Sequence, residues 1–336
     1  MGRGRSSFGL HGIIEHSILY WPWQNATVRY DWNTETNMTA PTIAFLGIGL
    51  MGRPMALRLL QAGFAVHAWN RTAAKAACLR EAGAHPYAGV AEAVAGATVV
   101  VSMLEAGAAV GQVIDSALAT LAPGALWIDM SSTAHSEALE FHARLQEHGC
   151  RFIDAPVSGG VAGAEAGTLA IMAGGSLDDF SDAEPVLVAM GRPTLVGPAG
   201  SGQVAKLCNQ LIVGATLNIV AEALLLAQAA GADPVAVRAA IRGGFAESRI
   251  LEMHGQRMLD RNFLPGGQVK SQLKDLRNVL AAAADAGLVL PLASLVTEAY
   301  QSIAGEYPQA DHAAALLALE KKNPGQRLGA GPDQLP

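Results

Sequence analysis

The chain has few aromatic and few charged residues. Aromatic residues make up 5% and charged residues 15% of its 336 residues, while the net charge is −6 at pH 7. An acidic net charge gives no basic surface for a polyanion. We therefore predict no nucleic-acid partner.

The chain also has few cysteines. Cys78, Cys150 and Cys208 are odd in number and widely spaced, which excludes a disulfide framework and predicts reduced thiols in a reducing, cytoplasmic compartment. None of them pairs with a histidine at the spacing of a zinc site, because the short run from Glu147 to Cys150 is typical of a turn that leads into a strand. We therefore predict no metal site.

No apolar run is long and uninterrupted enough to predict a membrane span. The longest, residues 211–230, contains Asn218, Glu222 and Gln228, which favours a buried helix of a soluble protein. A membrane partner is not expected.

The first 37 residues differ from the rest of the chain. They hold three of the five tryptophans but show neither the period of a helix or strand nor the composition of a targeting peptide. We predict that residues 1–37 are an unstructured leader, or one that is not translated, and that the folded protein begins at Met38.

What is present begins with a predicted strand, a glycine turn and a helix. The apolar run Thr42–Leu46 leads into Gly-Ile-Gly-Leu-Met-Gly and then into a helical pattern at 53–60. A dinucleotide fingerprint requires this order, because its glycines permit a tight turn, the approach of the pyrophosphate and close packing of the helix. The predicted cofactor-binding residues of this turn are Gly47, Ile48, Gly49, Leu50, Met51 and Gly52.

The next predicted strand, Ala65–Trp69, ends at Asn70, Arg71 and Thr72. NAD-binding domains usually carry an Asp or Glu here, which binds the adenosine ribose. Asn70 removes a carboxylate that would repel a 2′-phosphate, and Arg71 adds a guanidinium that could hold one. We predict that all three residues bind the cofactor, with NADP(H) preferred and NAD(H) as the alternative. A solvated loop charge is the other interpretation of Arg71.

Two more apolar runs, 97–104 and 125–130, are typical of buried parallel strands. Ligands bind beyond the carboxyl ends of such strands. The residues predicted to contact the cofactor there are Met103, Leu104, Glu105, Ser132 and Thr133. Because strands and helices alternate throughout, residues 38–198 are predicted to form an α/β NAD(P)-binding Rossmann domain with a mostly parallel sheet.

From residue 199 onward the strand pattern disappears and helical periods follow. Residues 199–322 are predicted to form an all-α domain that begins with a long interdomain helix. Residues 323–336 are predicted to be a disordered tail.

Lys206 lies near the start of that long apolar helix, after a glycine turn. The positive end of the helix dipole and apolar surroundings both resist its charge, which would suit a general acid. The alternative is an interfacial lysine whose stem reaches water. Upstream, Ser158, Gly159 and Gly160 would offer backbone N–H groups to a small carboxylate, although the same residues could form a plain turn.

Four segments, in this order, resemble the β-hydroxyacid dehydrogenase family over residues 42–322. They are the glycine turn at 47–52, the loop at 154–160, the segment at 200–210 and the run at 274–276. The resemblance implies a Rossmann domain, a long interdomain helix and an all-helical domain that forms homodimers or homotetramers.

The same resemblance implies roles for individual residues. Lys206 would be the catalytic acid, and Asn209 or Gln210 would orient the substrate or the lysine. The loop from Ser158 to Gly160 would bind the substrate carboxylate. Lys274 would contact the cofactor.

Residues 240–244 and 258–266 resemble tartronate semialdehyde reductases more than 3-hydroxyisobutyrate dehydrogenases. The expected activity is therefore the NAD(P)H-dependent reduction of tartronate semialdehyde to glycerate. The alternatives are another short-chain semialdehyde reductase or a 3-hydroxyisobutyrate dehydrogenase. Gly267 stands where such reductases often place an aromatic residue, which predicts a wider pocket wall. A non-catalytic NADP-binding interaction module is the alternative of another class, and the presence of Lys206 disfavours it.

Overall fold

The computed structural model describes residues 41–336. The predicted leader, residues 1–37, and the predicted start at Met38 lie outside this range. The strands within it are β1 (Thr42–Leu46), β2 (Ala65–Trp69), β3 (His85–Pro86), β4 (Val99–Ser102), β5 (Leu126–Asp129), β6 (Arg151–Asp154), β7 (Val157–Ser158), β8 (Leu169–Gly174) and β9 (Gly191–Gly197).

The helices fall into two groups along the chain. Those that alternate with the strands are α1 (Gly52–Gln61), α2 (Ala73–Ala77), α3 (Val90–Val94), α4 (Gly107–Ala117), α5 (His135–Glu147), α6 (Gly160–Ala166) and α7 (Leu177–Val188). Those that follow β9 are α8 (Ser201–Ala229), α9 (Pro234–Ile241), α10 (Arg249–Leu259), α11 (Val269–Asp285), α12 (Pro291–Ala304) and α13 (Ala315–Lys322). Two 3-10 helices, Arg80–Ala82 and His312–Ala314, complete the described secondary structure.

All nine strands belong to one mostly parallel sheet. Its order is β3-β2-β1-β4-β5-β6-β8-β7, and β9 pairs with β8. The pairs from β1 to β6 are parallel, whereas β8 runs antiparallel to β6 and β7. The strand order reverses between β1 and β4, and ligands bind outside the carboxyl ends of strands at such a point. The predicted fold, an α/β Rossmann sheet followed by helices, is confirmed.

The apolar run of β1 is buried because helices cover both faces of the sheet. Ile43 and Phe45 belong to one core cluster, and Ala44 and Leu46 belong to another. Successive side chains of a strand point to opposite faces, so a strand covered on both sides is apolar throughout. A third cluster fills the helical region, with Leu217 and Leu224 of α8 among its most buried members.

α8 connects the sheet to the helical region. Its 29 residues contact β8 and β9 near one end and pack against α10, α11, α12 and α13. Within residues 41–336 it is the one helix whose length and composition would suffice to cross a membrane, and 39% of its most apolar window is buried inside the protein. A core helix that links two regions has the same composition.

The tail at 323–336 differs from its sequence-based expectation, because it packs on the helical region. Leu328 is fully buried, and Phe263 N donates to Gln334 O at 2.9 Å. The Arg261 guanidinium, itself buried, donates to Glu320 at 2.5 Å and 2.9 Å and to Asp333 at 2.5 Å. The prediction of disorder was wrong because composition alone gives no sign of this distant partner.

We expect Arg261→Ala to lower the free energy of unfolding by about 1.5–3 kcal/mol, since it removes a buried guanidinium and its charge-assisted hydrogen bonds to the partly exposed Glu320 and Asp333. Urea denaturation would measure the change. Arg327→Ala is the matched control, because Arg327 also contacts Asp333, at 2.8 Å, but is exposed. Its loss is expected to change stability by less than about 1 kcal/mol. Equal effects of the two substitutions would contradict a buried hub at Arg261.

Candidate active site

The glycine turn after β1 is built so that two of its positions accept only glycine. Gly47 has φ +112°, and a Cβ added there would lie 2.2 Å from the Met103 carbonyl oxygen. A Cβ at Gly52 would lie 1.9 Å from Gly47 O. Gly49 differs, since nothing lies within 4 Å of its added Cβ. The turn therefore packs tightly against β4 and is open above Gly49.

This open side fits the pyrophosphate of a dinucleotide. α1 begins directly after the turn, has no side-chain cap at Met51 and has no acidic residue in its first turn. Its first N–H groups and the positive end of its dipole are therefore available to an anion. Leu50 is 84% exposed at the rim of the turn. The chain's own residues thus fit an NAD(P) cofactor.

Asn70 braces the glycine turn. Its Oδ1 accepts a hydrogen bond from Ile48 N at 3.0 Å, and its Nδ2 donates to Thr72 O at 3.1 Å. The side chains of Arg71 and Thr72 are exposed beside it. The polar group at the end of β2 is therefore a neutral amide that holds the loop, flanked by an accessible guanidinium.

The carboxyl ends of β4 and β5 are joined by a buried polar network that the sequence did not reveal. Asp129 Oδ1 accepts from Ser102 Oγ at 2.8 Å and from Ser131 N at 3.2 Å. Ser131 Oγ in turn accepts from Leu104 N at 2.9 Å. Burial raises the pKa of Asp129 to about 6, against the opposing effect of these hydrogen bonds. The network fixes the loops that carry the predicted cofactor contacts from Met103 to Glu105 and at Ser132 and Thr133.

A second buried carboxylate, Asp154 at the end of β6, binds the start of α8. Its Oδ1 accepts from Gly200 N at 2.7 Å and its Oδ2 from Gln203 N at 2.8 Å. Burial raises the pKa of Asp154 to about 7, although both N–H groups act in the other direction. Asp154 is thus the acceptor for free donors at the N-terminus of α8.

Gln203 makes the next connection between α8 and the sheet. Its Nε2 donates to Ser131 O at 2.8 Å, and its Oε1 accepts from Thr133 N at 3.1 Å. Gln203 is 1% exposed. Gln203 was not predicted from the sequence, where the one available signal was a polar side chain on the buried face of an apolar helix.

Lys206 follows Gln203 by one helical turn and reaches the predicted substrate loop. Its Nζ donates to Val157 O at 2.8 Å, next to Ser158. Burial lowers the pKa of Lys206, while Asp275 acts to raise it and Lys274 acts to lower it. The lysine therefore lies beside the loop with its charged form disfavoured.

The loop itself is shaped by its glycines. Gly159 has φ +138° and Gly160 has φ +64°, and both are exposed. Left-handed backbone of this kind favours glycine and turns main-chain groups outward. The structure thus brings together Lys206 and the predicted carboxylate loop.

The two amides after Lys206 differ in their surroundings. Gln210 Nε2 donates to Asp275 Oδ2 at 2.6 Å, so this side chain is directed to α11. Asn209 Nδ2 donates to Gln210 Oε1 at 2.9 Å. Asn209 therefore reaches α11 only through Gln210.

α11 contacts the sheet side of the cleft through two lysines. Lys274 Nζ donates to Ser132 O at 2.9 Å and lies 3.4 Å from Asp275. Lys270 lies 3.9 Å from Glu105, and both of these side chains are exposed. Lys274 and Ser132 are therefore brought together as predicted cofactor contacts, while Glu105 points to solvent at the edge of the cleft.

Two family models match the chain. The NAD-binding domain of 6-phosphogluconate dehydrogenase matches residues 42–207, and the NAD-binding domain of NADP-dependent 3-hydroxyisobutyrate dehydrogenase matches residues 200–319. The chain is 38% identical over 283 residues to 2-hydroxy-3-oxopropionate reductase of Escherichia coli, covering 83% of this chain and 97% of the relative. The chain belongs to the NAD(P)-dependent β-hydroxyacid dehydrogenase family.

Other family members extend the similarity. NAD-dependent L-serine dehydrogenase of Pseudomonas aeruginosa is 36% identical over 270 residues, covering 77% of this chain and 91% of the relative. The solved structure of Mycobacterium tuberculosis 3-hydroxyisobutyrate dehydrogenase with L-serine has a TM-score of 0.79 at 33% identity and covers 84% of this chain and 99% of its own. The chain is therefore an oxidoreductase that acts on a small molecule with an NAD(P) cofactor.

We expect Asp154→Asn to flatten the pH dependence of stability. The ordinary pKa of 3.8 applies to the unfolded chain, whereas the pKa in the folded chain is about 7. The folded state therefore binds more protons between these values, and wild type should lose free energy of unfolding as the pH rises from about 4 to about 7. Asparagine does not titrate, so this loss should be smaller in the variant.

Chemical denaturation at intervals across this pH window would measure the slope. Asp285→Asn is the control, since Asp285 is exposed at the end of α11. Its slope should equal that of wild type. A wild-type slope in Asp154→Asn as well would show that Asp154 is not the group that titrates.

Proposed function

We propose that the protein is an NADP(H)-preferring reductase of a short-chain semialdehyde acid, with tartronate semialdehyde as substrate and glycerate as product. The observation that carries the proposal is the contact of Lys206 with the substrate loop, through Val157 O at 2.8 Å. This contact places the ammonium beside the glycines that would bind a substrate carboxylate. A general acid must lie within hydrogen-bond reach of the oxygen that it protonates.

Lys206 supplies the proton. Its ammonium donates one hydrogen bond to Val157 O, which leaves other N–H donors for the aldehyde oxygen of the substrate. Because burial lowers the pKa of Lys206, the ammonium releases its proton more readily than an exposed lysine would. A nicotinamide cofactor held by the glycine turn at 47–52 would supply the hydride, and Lys206 would accept the proton when the hydroxy acid is oxidised.

The loop from Ser158 to Gly160 holds the carboxylate and thereby orients the reacting carbon. Gln210 acts as a positioning residue, because its hydrogen bond to Asp275 holds α8 against α11 at the level of the site. Asn209 would support Gln210 in this role, because its amide donates to Gln210 Oε1 at 2.9 Å. Lys274 joins α11 to the cofactor side through Ser132 O.

The preference for NADP(H) rests on the end of β2. Asn70 is a neutral amide committed to the glycine turn, and Arg71 is exposed beside it. A guanidinium forms charge-assisted hydrogen bonds to a phosphate, and no carboxylate stands at the position that binds the ribose hydroxyl in NAD enzymes. We therefore expect the protein to bind NAD(H) with lower affinity than NADP(H).

The substrate assignment is supported by the similarity to 2-hydroxy-3-oxopropionate reductase. Gly267, where a wider pocket wall was expected, lies against the imidazole of His312. A Cβ added at Gly267 would lie 2.8 Å from His312 Cε1, so an imidazole fills the space next to Gly267. The space that a side chain at position 267 would need is therefore taken by the imidazole of His312.

We propose a cytoplasmic homodimer or homotetramer without a membrane or nucleic-acid partner. Large apolar side chains remain exposed on one side of the helical region, among them Ile212, Ile219 and Leu226 of α8 and Leu292 and Leu295 of α12. Contiguous exposed apolar surface of this kind fits a second copy of the chain. The net charge of −6 argues against a polyanionic partner.

We expect Lys206→Ala to lower kcat for semialdehyde reduction at least about 100-fold, because a general acid is lost. The affinity for NADPH, measured by fluorescence titration, should be retained, since Lys206 contacts the substrate loop and not the glycine turn. Lys321→Ala, which removes an exposed lysine of α13, is the control and should leave kcat unchanged. A Lys206→Ala enzyme with wild-type kcat would remove the catalytic role.

We expect tartronate semialdehyde with NADPH to give the highest kcat/KM in a panel of small acids assayed with both cofactors. The panel should contain succinate semialdehyde, methylmalonate semialdehyde, 3-hydroxyisobutyrate and L-serine. Arg71→Ala should reduce the preference for NADPH over NADH by about 10-fold or more, because a charge-assisted contact is lost. A longer semialdehyde at the top of the panel would change the substrate and keep the reaction class. Turnover of a cyclic imine alone would overturn the class.

A further inference from the structure

Three side chains that take no part in the proposed proton transfer or cofactor binding meet next to the cleft. His254 lies on α10, Asp311 precedes the 3-10 helix, and His312 begins it. One potential ligand atom of each lies within 4.8 Å of the others. His254 Nε2 and His312 Nε2 are 3.3 Å apart, and the two rings are nearly perpendicular at 77°.

The spacing of the two nitrogens fits one metal ion. Metal–nitrogen bonds of about 2.0–2.1 Å in a tetrahedral site place two ligand nitrogens about 3.3 Å apart. Two imidazoles and one carboxylate are also the donor set of zinc sites that keep a fourth position open. The nitrogen–nitrogen distance therefore matches such a site, and the carboxylate of Asp311 supplies the third ligand type within the same cluster.

Buried polar atoms without hydrogen bonds mark the same cluster. Asp311 is 1% exposed, and its Oδ2 has no hydrogen-bond partner among the described residues. His254 Nδ1 lies 3.3 Å from Asp311 Oδ1 without the alignment of a hydrogen bond. Buried polar atoms are normally satisfied, so each such atom requires an explanation.

We propose that His254, Asp311 and His312 form a binding site for a divalent transition-metal ion of the Zn²⁺ class, with a fourth position for water. A neutral imidazole is the form that binds a metal.

Two cations lie close to the site and bear on its strength. Arg257 Nε is 3.5 Å from Asp311 Oδ1, and Lys206 is near enough to act on His312. Both repel a metal ion, but Arg257 approaches the oxygen that also accepts from Ala313 N at 3.0 Å. Asp311 Oδ2 has no hydrogen-bond partner among the described residues and is the oxygen that we assign to the ion. We therefore expect a site of moderate affinity and not a permanently occupied structural zinc.

The loop that contains Gly266 and Gly267 lies next to the cluster, and these two glycines bring only main-chain atoms to it. A Cβ added at Gly266 would lie 2.5 Å from Asp311 Oδ2, and one at Gly267 would lie 2.8 Å from His312 Cε1. Side chains at these positions would displace the ligands. The prediction of no metal site was based on cysteines and histidines that are close in sequence. The three ligands proposed here come from two separate segments of the chain.

The site can be tested with Zn²⁺ and Co²⁺ on the full chain stripped with a chelator. Isothermal titration should show Zn²⁺ binding to wild type. His254→Gln and His312→Gln should each lower the Zn²⁺ affinity at least about 10- to 100-fold, because loss of a residue that merely supports a ligand already has an effect of this size. Co²⁺ should give the visible absorption of a four-coordinate ion in wild type and lose it in both variants. NADPH titration and thermal melts of the metal-free variants would verify that they are folded.

His148→Ala is the matched control, because His148 is exposed and lies away from the three ligands on α5's C-terminal side. It should retain Zn²⁺ affinity and the Co²⁺ spectrum. Zn²⁺ binding that survives both glutamine variants would locate the metal elsewhere and overturn the proposal. Failure of the wild-type chain to bind Zn²⁺ would also overturn the proposal. The two imidazoles would then be a hydrogen-bonded pair. Both results are independent of the substrate panel.

Discussion

The hydrogen bonds of the Asp154 carboxylate to the first turn of α8 determine how the cleft is built. Asp154 ends β6, and it accepts from Gly200 N and Gln203 N while buried from solvent. A carboxylate at a helix N-terminus satisfies free donors and interacts with the dipole. Because Lys206 follows one turn later on the same helix, the position of its ammonium relative to the sheet depends on this one cap.

In the polar contacts across the cleft, side chains of the helices donate to main-chain carbonyls on the sheet side. Lys206 donates to Val157 O, Lys274 to Ser132 O and Gln203 to Ser131 O. A carbonyl held by a strand end or a tight loop has little freedom to move. These hydrogen bonds thereby hold the two ammonium groups at defined points, and Lys274 also lies 3.4 Å from the carboxylate of Asp275.

The sequence predicts those parts of the fold and site whose cause is local. The strands Thr42–Leu46 and Ala65–Trp69 have the predicted bounds, because a continuous apolar run between turn residues suffices to identify a buried strand. The glycines of the cofactor turn are equally local, since a positive φ and a close approach exclude any side chain. Lys206 could be selected as a candidate from the sequence because an ammonium at the start of an apolar helix is unfavourable, and its catalytic role stays a prediction.

Features that depend on two distant segments could not be predicted. Asp154 and Gln203 are single polar residues in apolar surroundings, and their roles follow only from the partners that the fold brings to them. The tail was predicted to be disordered because its composition is that of a loop, while its order comes from Arg261 and the burial of Leu328. The same reason explains why a cluster shared by α10 and the 3-10 helix has no sequence signature.

The attachment of the tail to Arg261 has a consequence for synthesis on the ribosome. Arg261 needs Asp333, which stands near the last residue, to complete its hydrogen bonds. The sheet, whose last strand ends at Gly197, contains all of its strands long before that point. Domains fold as units from the N-terminus during translation. The Rossmann sheet can therefore form while the chain is still being made, whereas the helical region is completed only once Asp333 has been synthesised.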